Sequence, residues 1–345
     1  MVFVKPGSLE QEIHEHFGTK VNMKKFLVIT IDVEPDCTPT WHYADPMSFM
    51  GISIGIARRL QPLFNIHQVA PTYLINNVVL EDEGSLQIFR ELQGKFELGT
   101  HLHPEFINPE KRFEYYGGKK AEGNSCFFPP EVEFEKIKNI TELFVKGFGR
   151  RPASFRAGRY SGGPNTMKSL RDLGYKVDTS VTPHMIWDDR SREKPVDFRN
   201  APEQPYFMSL ENITEKNEKS DLLQVPVSII SKKRNLLREL IVSGNGLIHP
   251  VRKNKTIWLR PFYSSTKELI GIAKQYMKAY RNQQNLVLNM MFHNVEVLPG
   301  LSPYCQTEKE CGEYLKQLED FFSFCKGEDI QPVTLIELYD EFKKK

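Results

Sequence analysis

FLVITIDVEPD, residues 26–36, decides the fold of this chain. Phe26 to Ile31 is an apolar run rich in β-branched residues, as a strand buried on both faces should be. It ends in Asp32, Glu34 and Asp36. A doubly buried strand calls for parallel neighbours and covering helices, and the chain downstream supplies both. Ile54, Ala57, Leu60 and Phe64 recur at helical spacing. Val69–Ile75 reads as a second buried strand, Leu86, Phe89 and Leu92 as a short helix capped by Ser85, and Phe96–Leu98 as a third strand.

Residues 105–130, rich in Asn, Gly and Pro, predict a long loop of the kind that covers a site. A helical stripe of Ile137, Ile140, Phe144, Val145 and Phe148 follows. Strand Ala153–Phe155, a helix opened by Pro164 and strand Tyr175–Val177 then resume the alternation. Residues 185–221 are a second polar excursion. Leu222–Val227, Thr256–Leu259 and Leu286–Phe292 read as further strands. Ser265 with Glu268 and Thr307 with Glu310 form capping boxes, the second helix closing at Gly327. Strand Pro332–Leu335 and a terminal helix end the chain. About seven or eight such units predict an α/β barrel, closed or nearly so. No repeat and no linker interrupts it, so residues 23–345 read as one domain with loop insertions near 105–130 and 185–221, behind an extension over 1–22.

Composition narrows the function classes. The 345 residues are 40% hydrophobic and 26% charged, which excludes a disordered or fibrous chain. Lys and Arg number 46 against 44 Asp and Glu, a net charge of +2 that argues against a general nucleic-acid binder. No apolar run approaches the roughly 18–20 residues of a membrane span. Glu10, Glu12 and Glu15 break any signal-peptide pattern, so the expected location is cytoplasmic. Five cysteines without CxxC spacing argue against a disulfide framework and against a Cys-based zinc finger, and Cys37 reads as a small buried residue rather than a ligand.

The active site of a parallel α/β barrel forms where its strands end. Five such ends carry chemistry: Asp32 with Glu34 and Asp36, His101 with His103, Arg156 with Arg159 and Tyr160, Asp178, and His293. His14, His16, His42, His67, His184 and His249 have no such setting and read as ordinary polar residues. His101 and His103 lie i and i+2, so both imidazoles share one side of an extended chain. Asp32 and Glu34 share a face for the same reason. One carboxylate would complete a two-His, one-carboxylate metal site with an open position, and the other would take a proton from water. His293, across the mouth, suits a general acid, while Arg156 and Asp178 suit fixing and tuning the base. The chemistry is metal-assisted hydrolysis of an amide or ester.

These motifs, in this order, resemble the polysaccharide deacetylases of the chitin, peptidoglycan and nodulation-factor deacetylase type, over about residues 26–340. The resemblance implies a distorted (β/α) barrel that removes N- or O-acetyl groups from sugars with a divalent metal, usually zinc. Residues 29–36, ITIDVEPD, are similar to the first motif, which implies Asp32 as catalytic base and Glu34 as metal-binding acid, with Asp36 in reserve. GTHLHP at 99–104 resembles the metal-histidine motif, giving His101 and His103. FRAGRY at 155–160 resembles the third motif: Arg156 contacts the base, and a backbone amide near Arg159 or Tyr160 serves as oxyanion donor. YKVDTS at 175–180 resembles the fourth, with Asp178, and MMFHNVE at 290–296 the fifth, with His293 as the acid. The chain departs from the family in two places. Its histidines stand two apart rather than four, and Glu34 replaces the usual second aspartate.

The partner expected from this resemblance is an acetylated sugar or a precursor of a surface glycan. Tyr160, Tyr116 and Trp41 are the expected substrate contacts, and Tyr115 and Trp187 also lie in loops where rings stack on sugars or anchor the loop. Two histidines and a carboxylate accept zinc, cobalt, nickel or manganese, zinc being the expected ion. The same scaffold also admits a non-catalytic carbohydrate-binding protein or a cyclic-amide (ureide) hydrolase.

Overall fold

The run at 26–31 lies inside β1 (Lys24–Val33), which is buried from Phe26 onward in the computed structural model of the chain. The structure describes residues 23–111, 122–187, 196–232, 255–261 and 265–344. The extension 1–22, Tyr115 and Tyr116 lie outside the described residues.

The strands that follow are β2 (Pro71–Asn76), β3 (Glu97–Leu102), β4 (Ser154–Ala157), β5 (Val177–Asp178), β6 (Ile186–Trp187) and β7 (Val196–Asp197). Then come β8 (Tyr206–Phe207), β9 (Leu223–Gln224), β10 (Ile229–Lys232), β11 (Lys255–Trp258), β12 (Asn285–His293) and β13 (Ile330–Pro332). The main sheet runs β12-β1-β2-β3-β4-β5-β9-β8, with β13 also on β1. From β12 through β9 every pairing is parallel, and only β8 turns antiparallel.

The chain after β9 bridges the two ends of this sheet. Val225 and Val227 donate main-chain hydrogen bonds to the carbonyls of Asp178 and Val181, and Ser228 donates to Asn289 on β12 at 2.9 Å. Beside it, the Gln204 amide accepts from Val287 N–H at 2.8 Å and donates to its carbonyl at 3.0 Å. A side-chain amide there takes the place of a missing strand neighbour. The α/β barrel expected from the sequence therefore forms, distorted where this bridge replaces regular pairing.

Local winding departs from the sequence reading in three places. Residues Gly51–Leu60 form a π-helix before Gln61–His67 turns α-helical. The wider winding buries Ile52, Ile56, Leu60 and Phe64 and leaves Ile54 and Ala57 half-exposed. Glycine is required at position 55, where a Cβ would lie 2.8 Å from the Asn294 carbonyl oxygen. The helix Glu83–Glu91 is capped by Asp82, whose carboxylate accepts from Ser85 N–H at 2.7 Å, rather than by Ser85 itself. The last strand ends at Pro332 because Thr334 and Glu337 form a capping box that draws Leu335 into the final helix. Among the described residues no helix is long and apolar enough to cross a membrane.

Helix Pro130–Phe148 starts with proline and stops at Gly149 in the left-handed conformation, φ 68°. Its buried Glu133 accepts a hydrogen bond from Thr166 on the neighbouring helix, and among the described residues its second oxygen has no partner. Burial pushes this carboxyl up to about 8, the Thr166 bond opposing only in part. Its folded value exceeds the unfolded one, so its contribution is full below the unfolded value of 4.5 and falls as pH rises through about 8. Glu133→Gln should raise the melting temperature by about 3 °C or more near pH 9 and leave it unchanged near pH 5. Calorimetry showing equal gains at both pH values would contradict this assignment.

Candidate active site

Parallel register aligns the polar strand ends. Asp32 on β1 stands level with His293 on β12, and His101 on β3 stands level with Asn76 on β2 and Arg156 on β4. All of these except His293 are buried.

Arg156 is fully buried and reaches across the barrel interior. Its Nη1 donates to Asp32 Oδ1 at 2.6 Å, Nη2 to Thr30 Oγ1 at 2.6 Å, and Nε to the Thr179 carbonyl at 3.0 Å. Burial opposes ionisation of Asp32, but Arg156, with His101 and His293, outweighs it and leaves the carboxyl below its ordinary value. Asp32 is thus held ionised, with Oδ1 on Arg156 and Oδ2 turned towards the histidines. Its Oδ2 lies 3.8 Å from His101 Nε2 and 4.0 Å from His293 Nε2.

Glu34 does something different. Its Oε1 lies 3.0 Å from His101 Nε2 and 2.9 Å from His103 Nε2, and the two Nε2 atoms are 3.2 Å apart. Those separations approach the edge, about 3.3 Å, of a tetrahedron with zinc–nitrogen bonds of 2.0–2.1 Å. His101 Nδ1–H donates to the Arg156 carbonyl at 3.1 Å, which fixes the tautomer and leaves Nε2 as the donor atom. Asn294 holds the Glu34 backbone from both sides, accepting from its N–H at 2.9 Å and donating to its carbonyl at 3.0 Å. Tyr43 OH meets the outer carboxylate oxygen at 3.3 Å. Among the described residues this buried trio can hold a metal ion.

Charge reinforces the trio. Burial disfavours the Glu34 carboxylate, yet His103 and His101 hold it well below the usual range. Burial likewise works against the His103 imidazolium, but Glu34 and Glu105 raise it to about 9, so an arriving cation displaces a proton. The i, i+2 spacing works because Pro104–Phe106 turns at once into a 3-10 helix, with Asn77 accepting from His103 N–H at 3.1 Å. Gly158 lets the strands close, since a Cβ there would sit 2.7 Å from the Leu102 carbonyl and 3.0 Å from the His103 ring.

Asp36, the reserve acid, is occupied elsewhere. It accepts at 2.7 Å from Ser48 Oγ and from the N–H groups of Met50 and Gly51, at the start of the π-helix. Cys37 is buried, and burial first, then Glu34 and Asp36, raise its thiol well out of the ligand range. Asp178 bonds the Ser180 hydroxyl at 2.6 Å and its N–H at 2.9 Å, and the same hydroxyl accepts from Ala157 N–H beside Arg156. Burial chiefly raises its carboxyl to about 6.

The aromatic residues divide between two walls. Trp41 faces the His293 ring at 4.8 Å. Tyr160 stacks on Trp187 at 5.3 Å and meets Trp258 at 5.8 Å, with the Arg156 guanidinium 6.0 Å from its ring. Arg159 and Tyr160 both take positive φ, 53° and 55°, a strained turn at the end of β4. Tyr116 cannot be assigned to either wall because it lies outside the described residues.

Sequence reasoning missed four residues. Asn294 clamps Glu34, Arg260 and Glu296 surround His293, and buried Lys136 gathers the carbonyls of Pro104 at 2.8 Å and Ile107 at 2.9 Å in the turn after His103. Asn294 and Glu296 stood within the fifth motif. Nothing in the sequence marks Arg260 or Lys136, whose partners are distant in the chain.

No protein-family model matches this sequence, and no curated protein matches it. Solved structures do. A Mycobacterium smegmatis protein assigned as a polysaccharide deacetylase is 14% identical, with 94% of this chain and 92% of that one covered at a TM-score of 0.53. The PuuE allantoinase is 12% identical, covering 96% and 93% at 0.52. A GH57-type branching enzyme from the hyperthermophilic archaeon Pyrococcus horikoshii is 12% identical, covering 93% and 71% at 0.52. At these identities the likeness establishes a shared fold, that of polysaccharide deacetylases.

The two acids are separable by metal analysis. Purified protein should carry about one divalent ion per chain, lost in Glu34→Ala and His101→Ala and kept in Asp36→Asn. Retention in Glu34→Ala with loss in Asp36→Asn would reverse the assignment.

Proposed function

We propose that this chain is a metal-dependent hydrolase that removes an acetyl group, N- or O-linked, from a sugar or glycan precursor, with residues 23–345 acting as one catalytic unit. The observation that carries this reading is the division between two neighbouring carboxylates. Glu34 joins the histidines, while Asp32, one strand pitch away, is held by Arg156 with one oxygen left towards the cleft. A metal hydrolase needs both, a ligand and a base that is not a ligand.

Glu34, His101 and His103 would hold the ion, zinc by preference, whose chemistry is to polarise the acetyl carbonyl and lower the pKa of water. Asp32 accepts the proton of the attacking water as its oxygen bonds to the carbonyl carbon. The turn at Arg159 and Tyr160 presents a backbone amide to the oxyanion that results. His293 Nε2 then gives its proton to the sugar nitrogen or oxygen as that bond to the acyl carbon breaks, releasing acetate. Arg156 keeps Asp32 ionised, and Asp178 supports the strand that carries Arg156 through Ser180 and Ala157. Trp41 and Tyr160 supply ring faces for the sugar, with Tyr116 as a further contact.

A second reading follows from the allantoinase-like fold, namely hydrolysis of a cyclic ureide by the same base and ion. Acetate release from acetylated amino sugars, assayed beside ring opening of cyclic ureides, separates the two. Asp32→Asn should lower turnover by roughly 10²-fold or more with bound metal unchanged. Loss of metal in that variant would count against Asp32 as the base.

A further inference from the structure

Glu296 plays no part in the scheme above, yet it is the best-bonded carboxylate at the cleft. It lies three residues after His293, fully buried in the short turn Asn294–Val297. Its Oε1 accepts from the His293 main-chain N–H at 2.9 Å and from the ring Nδ1 at 2.8 Å, and its Oε2 accepts from Tyr314 OH at 2.8 Å. Arg260, buried in the segment after β11, places Nη2 on the same Oε1 and 3.2 Å from His293 Nδ1. The Arg260 guanidinium lies 5.1 Å from the Tyr304 ring, and Tyr304 meets Trp41 edge-on at 5.6 Å.

We propose that Glu296 and Arg260 act as a paired positioning device that sets how His293 holds and gives up its proton, an inference that rests on His293 being the proton donor. The geometry fixes the tautomer. A lone pair on Nδ1 would face a carboxylate oxygen at 2.8 Å, so Nδ1 carries hydrogen and Nε2 is the atom that gains and loses the mobile proton. Nε2 is also the atom on the Asp32 side, 4.0 Å from Oδ2. An unaccompanied buried carboxylate on Nδ1 would grip the imidazolium, and Arg260 offsets that charge at the same oxygen. Among the described residues, the charged and titratable groups facing His293 are thus Asp32, with Glu34 beyond it, from β1, Glu296 from its own turn, and Arg260, with Tyr314 and Tyr304 behind them. Asp178, the acid the sequence offered for tuning the base, is bonded to Ser180 instead.

The two charges act in opposite directions, and this makes the pair testable. The full chain, labelled with ¹⁵N-histidine, is titrated by NMR as wild type, Glu296→Gln, Arg260→Met and the double variant, with His293→Gln identifying the signal. The neutral wild-type ring should show hydrogen on Nδ1. Glu296→Gln should move the His293 midpoint down by about one pH unit, and Arg260→Met should move it up by about as much. The double variant, which buries no unpaired charge, should return within about half a unit of wild type. The alkaline limb of the kcat profile for acetate release should move with each midpoint. Hydrogen on Nε2, shifts of the same sign in both single variants, or a double variant no nearer wild type than Glu296→Gln would overturn the proposal. The titration needs no substrate. Opposed shifts without acetate release from any acetylated sugar would support the pair and overturn the hydrolase reading instead.

Discussion

A guanidinium with no exposure to solvent organises this barrel. Arg156 spans the interior from β4, donating to Asp32 and Thr30 on β1 and to Thr179 beyond β5, while its own carbonyl accepts from His101 on β3. Burying such a charge costs several kcal/mol, and losing its partner costs about 3–5 kcal/mol, so the contact holds only where each guanidinium nitrogen finds a partner. The barrel meets them with a polar layer under the cleft. Asn289 on β12 donates to Thr179 Oγ1 at 3.0 Å and to the Val225 carbonyl at 3.1 Å, and Thr30 reaches Asn289 at 3.2 Å. The same residues that stabilise Arg156 therefore tie the open side of the barrel to β1.

From that arrangement the two carboxylates of β1 acquire different chemistry although they lie two residues apart. Asp32 is ionised by a cation and left partly free, and Glu34 is ionised by imidazoles and enclosed by them. A third acid, Asp36, is bonded into the start of a helix. Side-chain direction along an extended strand makes this possible, and the differing partners on β3 and β4 make it definite.

The sequence showed the strands and their polar ends because burial on both faces writes a continuous apolar signal, and the motif at 26–36 ends it sharply. It showed the histidine pair for the same reason. It did not show the π-winding of 51–60, since that depends on Gly55 meeting the Asn294 backbone across the fold. Nor did it show the bridge from Gln204 to Val287 or the approach of Arg260 to His293, contacts between segments separated by long loops. The choice between Glu34 and Asp36 was open in the sequence, because both are acids near one strand end. Their hydrogen-bond partners separate them.

X-ray absorption at the metal edge of the zinc-reconstituted protein tests the central claim most directly. The account predicts a first shell of nitrogen and oxygen at about 2.0–2.1 Å, with imidazole scattering from two histidines and no sulfur. A sulfur at about 2.3 Å, or a shell without imidazole, would contradict it.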